Sequence, residues 1–140
     1  MKCILTSVNY ADYLDLVASY NHKLFDEVIV VTIESDVDTI KVCNKYKNYT
    51  CITAPNHAPK YNPEKNVTSV FNKGHLLNYG FKYLESIKYK GYICCTDGDV
   101  AFSPGFINCL NRWKRKLKSE APDIDQKKMI FGAPRYMIED

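Results

Sequence analysis

Asp97 and Asp99 flank Gly98 and so set two carboxylates at positions i and i+2. On an extended backbone both project to the same side. Two anionic oxygens together suit a hard cation, magnesium or manganese, completed by water and substrate phosphates rather than by a full protein cage. Asp97 and Asp99 are therefore the candidate metal ligands, and the pair implies a phosphorylated ligand, toward which Gly98 would let the backbone bend. The same tripeptide also suits a tight turn closing a hairpin. Upstream, Asn72-Lys73-Gly74 opens a helical stretch. Asn72 can cap the helix, Lys73 can meet an anion near its positive end, and Gly74 permits close approach, with Asn78 one turn further on. A capped helix with a solvated lysine has the same sequence. No GxGxxG follows the first apolar run and no GxxxxGK[ST] occurs anywhere. That argues against dinucleotide oxidoreductases and P-loop enzymes and leaves a metal to neutralise the phosphates.

These residues need strands and helices to position them. Cys3 to Val8 reads as a first strand, and Val28 to Ile33, β-branched throughout, reads as a second covered on both faces. Thr50 to Thr53, Tyr92 to Thr96 and Met129 to Ala133 are the third, fourth and fifth. Between them Leu14, Val17 and Ala18 share one helical face, and Leu77, Gly80, Phe81, Leu84 and Ile87 trace another. A further helix starts near Pro104 and is expected to bury Phe106, Leu110, Trp113 and Leu117. Pro55 to Asn66 reads as a long loop. Strands alternating with helices predict an α/β fold, a doubly wound, mostly parallel sheet with helices on both faces. Right-handed crossovers then favour the order 3-2-1-4, with a ligand crevice where the order reverses. Two polar strand ends meet there, Thr6-Ser7-Val8-Asn9 and Cys95 to Asp99, with the end of strand two, Glu34-Ser35-Asp36, one strand further out on the same edge.

The chain has 140 residues, 46% of them hydrophobic, enough for one domain over residues 1–140. Nineteen basic residues against sixteen acidic leave a net charge of +3, and sixteen of the nineteen are lysine. Forked arginine contacts to bases are scarce, so no nucleic-acid partner is expected. No apolar run is long enough to span a bilayer, and the first dozen residues turn polar too early for a signal-peptide core, so a cytoplasmic location is expected. The six cysteines show no paired CxxC spacing and read as free thiols packed as small hydrophobes. The sequons at Asn48 and Asn66 carry little weight in a cytosolic chain. His22, His57 and His75 have no supporting ligand spacing. The basic run Arg112, Lys114, Arg115, Lys116 and Lys118 reads first as a solvated helix face, with peripheral contact to acidic lipid or a phosphorylated acceptor as the alternative.

The stretch Asn72-Lys73-Gly74-His75-Leu76-Leu77-Asn78-Tyr79-Gly80 resembles the NxGxxxNxG segment of GT-A glycosyltransferases, and Asp97-Gly98-Asp99 stands where their DxD metal motif follows. The resemblance covers the nucleotide-binding half, from the TSVNY end of strand one through VVTIESD to DGDVAFSPGF, with Pro104 matching a proline that commonly follows DxD. It implies a metal-dependent transferase that moves a sugar from a UDP- or GDP-sugar to a glycan, lipid or protein acceptor. In that family pattern Asp99 holds Mn²⁺ or Mg²⁺ directly, and Asp97 holds ribose, or the metal through water. Thr6, Ser7, Asn9 and Glu34 or Asp36 line the base and ribose pocket, and Asn72, Lys73, Gly74 and Asn78 approach the nucleotide. Lysine stands at 73 where arginine is frequent. About forty residues follow Asp99, so the acceptor half is expected to be short, or supplied by a missing segment, an oligomer or a partner subunit. Glu139-Asp140 is similar to the family's ED base motif but arrives early, which makes Asp140 the one candidate base. Two rivals stay open, a noncatalytic nucleotide-sugar-binding module and a metal-dependent nucleotidyltransferase on a related sheet.

Overall fold

A computed structural model of the chain describes residues 1–55, 72–123 and 125. They fall into two compact units, one ending at Pro104 and the other beginning at Gly105. The first unit runs β1 (Lys2–Thr6), α1 (Ala11–Asn21), β2 (Glu27–Ile33), α2 (Val37–Cys43), β3 (Tyr49–Ala54), α3 (Lys73–Ser86) and β4 (Ile93–Asp97); the second contains α4 (Phe106–Glu120). All strand pairings are parallel and the order is β3-β2-β1-β4, the order expected from right-handed crossovers. The fold is α/β and doubly wound. The predicted fifth strand and the Asn56 to Asn66 part of the predicted loop lie outside the described residues. Among the described residues no helix is long and apolar enough to cross a membrane.

β2 shows why the sheet needs two covered faces. Val28, Ile29, Val30 and Val31 are each 0% exposed, and each such side chain contributes about 1.5–3 kcal/mol relative to exposure. Parallel register and strand alternation put Ile4, Thr6, Ile29, Val31 and Asp97 on one face and Cys3, Leu5, Val28 and Val30 on the other. The first face carries α3: Ile4, Ile29, Val31, Leu76 and Leu84 form one buried cluster. On the other face α1 buries Leu14, Val17 and Ala18, as their spacing predicts, and contacts α2.

Three expectations need correction. Of the stripe expected for α3, Gly80 and Leu84 are buried and Leu77 packs partly buried on the core, but Leu76 joins them while Phe81 and Ile87 are exposed. Gly80 sets this rotation, because its missing side chain lets the helix seat directly on Ile4. A Cβ there would lie 2.6 Å from Ile4 Cγ2 and 3.3 Å from Val31 Cγ2. In α4 no side chain is buried, and Trp113 in particular is exposed. Finally, α2 was not anticipated, although Asp36 caps it and Thr39, Val42 and Cys43 form its buried face. The cysteines are all free, but only Cys3 and Cys43 are buried, while Cys95 and Cys109 are exposed. The amide nitrogen of Asn48, the atom a sequon would glycosylate, donates to the carbonyls of His22 and Phe25 at 2.8 and 3.0 Å.

At the N-terminal end of the strands Glu27 ties the layers together. It accepts hydrogen bonds from Lys2 of β1, Thr50 of β3 and Tyr83 of α3. Burial opposes its charge, but those three donors outweigh it and lower its pKa.

Gly80→Ala is expected to destabilise the fold by about 1–2 kcal/mol, the overpacking against Ile4 exceeding the gain in helix propensity. Urea unfolding measures it, and a stabilised variant would show that α3 is not seated on Ile4.

Candidate functional site

The C-terminal ends of β1 and β4 lie side by side, with Thr6 in register with Asp97. The chain leaves β1 toward α1 on one face, while β4 is reached from α3 on the other, so the strand ends diverge and leave a crevice. Thr6 ends β1 and Ser7 follows it. Both are buried, at 4% and 3% exposure, and neither hydroxyl oxygen has a hydrogen-bond partner among the described residues. The Thr39 and Tyr49 hydroxyls are likewise buried and unpartnered among the described residues, so the two at this strand end do not by themselves mark a ligand site.

The Asp97-Gly98-Asp99 segment is held from both sides. Gly98 N–H donates to the Thr6 carbonyl at 3.1 Å, and Val100 N–H donates to the Asp97 carbonyl at 3.4 Å. The backbone therefore turns after Asp97, and the expectation of two carboxylates on one extended strand is corrected: Asp97 ends β4 while Asp99 is exposed in the turn. Nor does the turn close a hairpin, since β4 pairs in parallel with β1. Gly98 does not supply a positive φ. It supplies close approach, because a Cβ there would sit 2.9 Å from Ser7 Cβ and 3.1 Å from the Thr6 carbonyl oxygen.

Beyond the turn, Asn21 at the end of α1 fixes the chain. Its Nδ2 donates to the Val100 carbonyl at 2.7 Å and its Oδ1 accepts from Phe102 N–H at 2.9 Å, with Asn21 itself 1% exposed. Phe102 also packs edge-to-face on Phe25, with centroids 5.4 Å apart. The sequence reading missed Asn21. Its signal was a polar residue continuing the buried α1 stripe one turn after Val17 and Ala18.

Lys73 and Asp97 join the two motif segments. Lys73 is the first residue of α3, and its Nζ forms an ion pair with Asp97 Oδ1. Asn72 caps the helix as expected, its side chain accepting from His75 N–H at 3.0 Å. No acidic residue stands in the first turn. Gly74 and Asn78 are exposed, and a Cβ on Gly74 would meet nothing closer than Asn72 Oδ1 at 3.7 Å.

The end of β2 serves the fold more than the crevice. Asp36 Oδ2 accepts from Asn9 N–H and from the Thr32 hydroxyl, each at 2.8 Å, and Oδ1 accepts from Thr39 N–H at the start of α2. Burial works against its charge, but the bonds from Thr39, Asn9 and Thr32 prevail and lower its pKa. Asn9 is thereby locked at φ 58°, a left-handed conformation that asparagine tolerates. Glu34 is exposed and its backbone N–H bonds the Ala54 carbonyl. Tyr10 and Tyr13, exposed and 5.8 Å apart at the exit of β1, were also missed. Glu139, Asp140 and His57 lie outside the described residues. His22 bonds the Ala18 carbonyl through Nδ1 at 2.9 Å, and His75 stands edge-on to Tyr79. A concavity of about 780 Å³ lined by Asp12, Asp15, Asp38 and Lys41 includes none of the nominated residues.

Among the described residues no three His, Cys, Asp or Glu side chains are grouped to hold a metal. Asp97 and Asp99 supply two carboxylates, which fits a cation that brings its remaining ligands as water and phosphate. Compared with known families and with curated proteins, the chain matches no family model and no curated sequence.

Two outcomes test this geometry. Asp36→Ala should cost about 2 kcal/mol at neutral pH, from a lost cap and unpaired donors. Because folding lowers the Asp36 pKa, its contribution is complete above the ordinary aspartate value of about 3.9 and is lost as pH falls below that through the folded value. Urea titrations of both proteins should show the gap shrinking below about pH 4, and a constant gap down to about pH 3 would contradict an ionised clamp. Asn21→Leu leaves the Val100 carbonyl and the Phe102 N–H without their partner, a loss of about 1–3 kcal/mol. Hydrogen exchange at the Phe102 amide should accelerate, and unchanged protection would sink the assignment.

Proposed function

We propose that the chain is a GT-A type glycosyltransferase, or the donor-binding half of one, taking a UDP- or GDP-sugar with Mn²⁺ or Mg²⁺ at the β1–β4 crevice. The observation that carries this reading is the Lys73–Asp97 ion pair, which couples the Asn72-Lys73-Gly74 helix start to the Asp97-Gly98-Asp99 turn. Lys73 is 44% exposed and Asp97 28%, so water screens the pair and it contributes about 0–1 kcal/mol. Exchange of partners is therefore cheap. Lys73 and the positive end of α3 can receive phosphate oxygens while Asp97 and Asp99 receive the cation.

A divalent ion bound there supplies Lewis-acid stabilisation of the departing nucleoside diphosphate. The chain's own residues do the rest. Gly74 leaves room beside the helix start, and the clamps from Gly98 and Asn21 hold Asp99 in place before ligand arrives. Such preorganisation spares the site the cost of ordering on binding. Six free thiols accord with a reducing, cytosolic setting.

Thermal shift with nucleoside diphosphates and their sugars, each with Mn²⁺ or chelator, tests site, metal and base together. Ligand at about 100 times its dissociation constant should stabilise the fold by about 2.7 kcal/mol. Asp99→Asn should abolish the Mn²⁺-dependent part, because an amide lacks the anionic oxygen a hard cation prefers, and Asp97→Asn should reduce it less. Lys73→Ala should weaken binding up to about tenfold at low salt. Wild-type metal dependence in both aspartate variants would end the reading. Product analysis then separates chemistries: glycoside with nucleoside diphosphate marks transfer, pyrophosphate marks nucleotidyl chemistry, and ligand recovered intact marks a binding module.

A further inference from the structure

We propose that Cys43 and Cys51 form a redox-active pair that a small-molecule disulfide converts into a cross-link between α2 and β3, a role beyond the donor site. Cys43 is the last residue of α2, and Cys51 is the third residue of β3, an edge strand among those described. α2 packs on β3. Cys51 is in register with Val30 and so shares the face that α1 and α2 cover. There the Cys43 S–H donates a hydrogen bond to Cys51 Sγ. Cys43 is 2% exposed, whereas Cys51 is partly exposed. The pair is therefore reached from solution through Cys51.

The two thiols are suited to different steps of one exchange. Hydrogen bonding from Cys43 lowers the Cys51 pKa, against burial and the nearby Asp36 charge, while the same bond, with burial, pushes the Cys43 thiol up. Cys51 loses its proton, its sulfur attacks one sulfur of the small disulfide, and a thiolate leaves. Cys43 then loses its proton and attacks Cys51 Sγ, breaking the mixed disulfide and releasing the second thiolate. The two cysteines are oxidised to one disulfide, the small disulfide is reduced to two thiols, and the two protons end on those thiols. In a reducing setting such a link is transient. Cys3 and Cys94 also share a hydrogen bond, but their geometry resists the same step. They are in register on parallel strands, so their Cβ atoms project side by side at about the strand spacing of 4.7–4.9 Å. A disulfide needs about 3.5–4.5 Å between Cβ atoms, and the ladder between β1 and β4 would have to pinch to supply it. Cys43 stands at a helix end, where the backbone adjusts more readily.

The full chain carrying Cys95→Ser and Cys109→Ser, both at exposed positions, keeps the other four thiols. It is treated with glutathione disulfide, remaining thiols are alkylated, and tryptic peptides are mapped by mass spectrometry. Cys43 and Cys51 should be recovered joined, with Cys3 and Cys94 alkylated, and dithiothreitol should restore both thiols. Adding Cys43→Ala should stop the reaction halfway, so that Cys51 accumulates a mixed disulfide with glutathione about tenfold faster than Cys3 or Cys94 does. Adding Cys51→Ser should leave Cys43 reduced. Circular dichroism checks that these variants fold, and the mapping with both cysteines present stands without them. Four alkylated thiols after prolonged excess oxidant, a Cys3–Cys94 link formed first, or glutathione on Cys43 in the Cys51→Ser chain would overturn the proposal. So would the same selectivity in urea, which would assign the link to nearness in sequence and not to the fold.

Discussion

Parallel strands cannot be joined by tight turns, and in this chain each crossover runs through a helix. Handedness then leaves little freedom. With right-handed connections α1 and α2 cover one face, α3 covers the other, and β1 becomes the strand at which the winding reverses. The pairing of Thr6 with Asp97 follows from that reversal. Gly98 against Ser7 and Asn21 against the Val100–Phe102 segment are local solutions to one requirement. They fix the chain as it emerges from the reversal point.

Charge is used differently at three places in the same sheet. Glu27 and Asp36 are both enclosed, and each accepts from several protein donors, so each stays ionised against the cost of burial and each locks elements together. Removing donors from a buried carboxylate costs several kcal/mol. The Lys73–Asp97 pair is wetter and binds more weakly. Two saturated carboxylates give the frame its rigidity, while the half-exposed pair at the crevice is the place where partners can change at small cost.

Much of the frame was legible in the sequence because it rests on pattern. The β-branched run at Val28 to Ile33, the strand alternating with helix, and the 3-2-1-4 order all follow from periodicity and handedness. Rotation of α3 was legible only in part: periodicity gave Gly80 and Leu84, but the choice between Phe81 and Leu76 depends on which side of Gly80 meets Ile4, a tertiary contact. The seven-residue α2 escaped because two turns give too little periodicity to read, although Asp36 and Thr39 carried its capping signal. At the site, Asn72 as a cap and Lys73 near an anion followed from helix-end physics. Asp36 was nominated for a ligand role while its oxygens serve the backbone, and local sequence does not distinguish a carboxylate facing a crevice from one facing three N–H and O–H donors. Asn21 could have been found, as an amide on an otherwise apolar buried stripe.

Three glycines close to this crevice separate what the fold requires from what it does not. A side chain at Gly80 would strike Ile4 and one at Gly98 would strike Ser7, so packing alone explains both. Gly74 has no such neighbour: a Cβ there would rest at an ordinary 3.7 Å from Asn72. Glycine inside a helix is disfavoured by up to about 1 kcal/mol relative to alanine, since it leaves the unfolded chain more freedom. Position 74 thus carries a residue that weakens the start of α3 with no packing reason among the described residues, directly after the lysine that reaches Asp97. What glycine offers there is bare backbone N–H groups at the positive end of a helix, open to something that approaches more closely than a side chain would allow. Such an opening suits the phosphates of the proposed donor, and it joins the helix start and the Asp97-Gly98-Asp99 turn into one proposed binding surface.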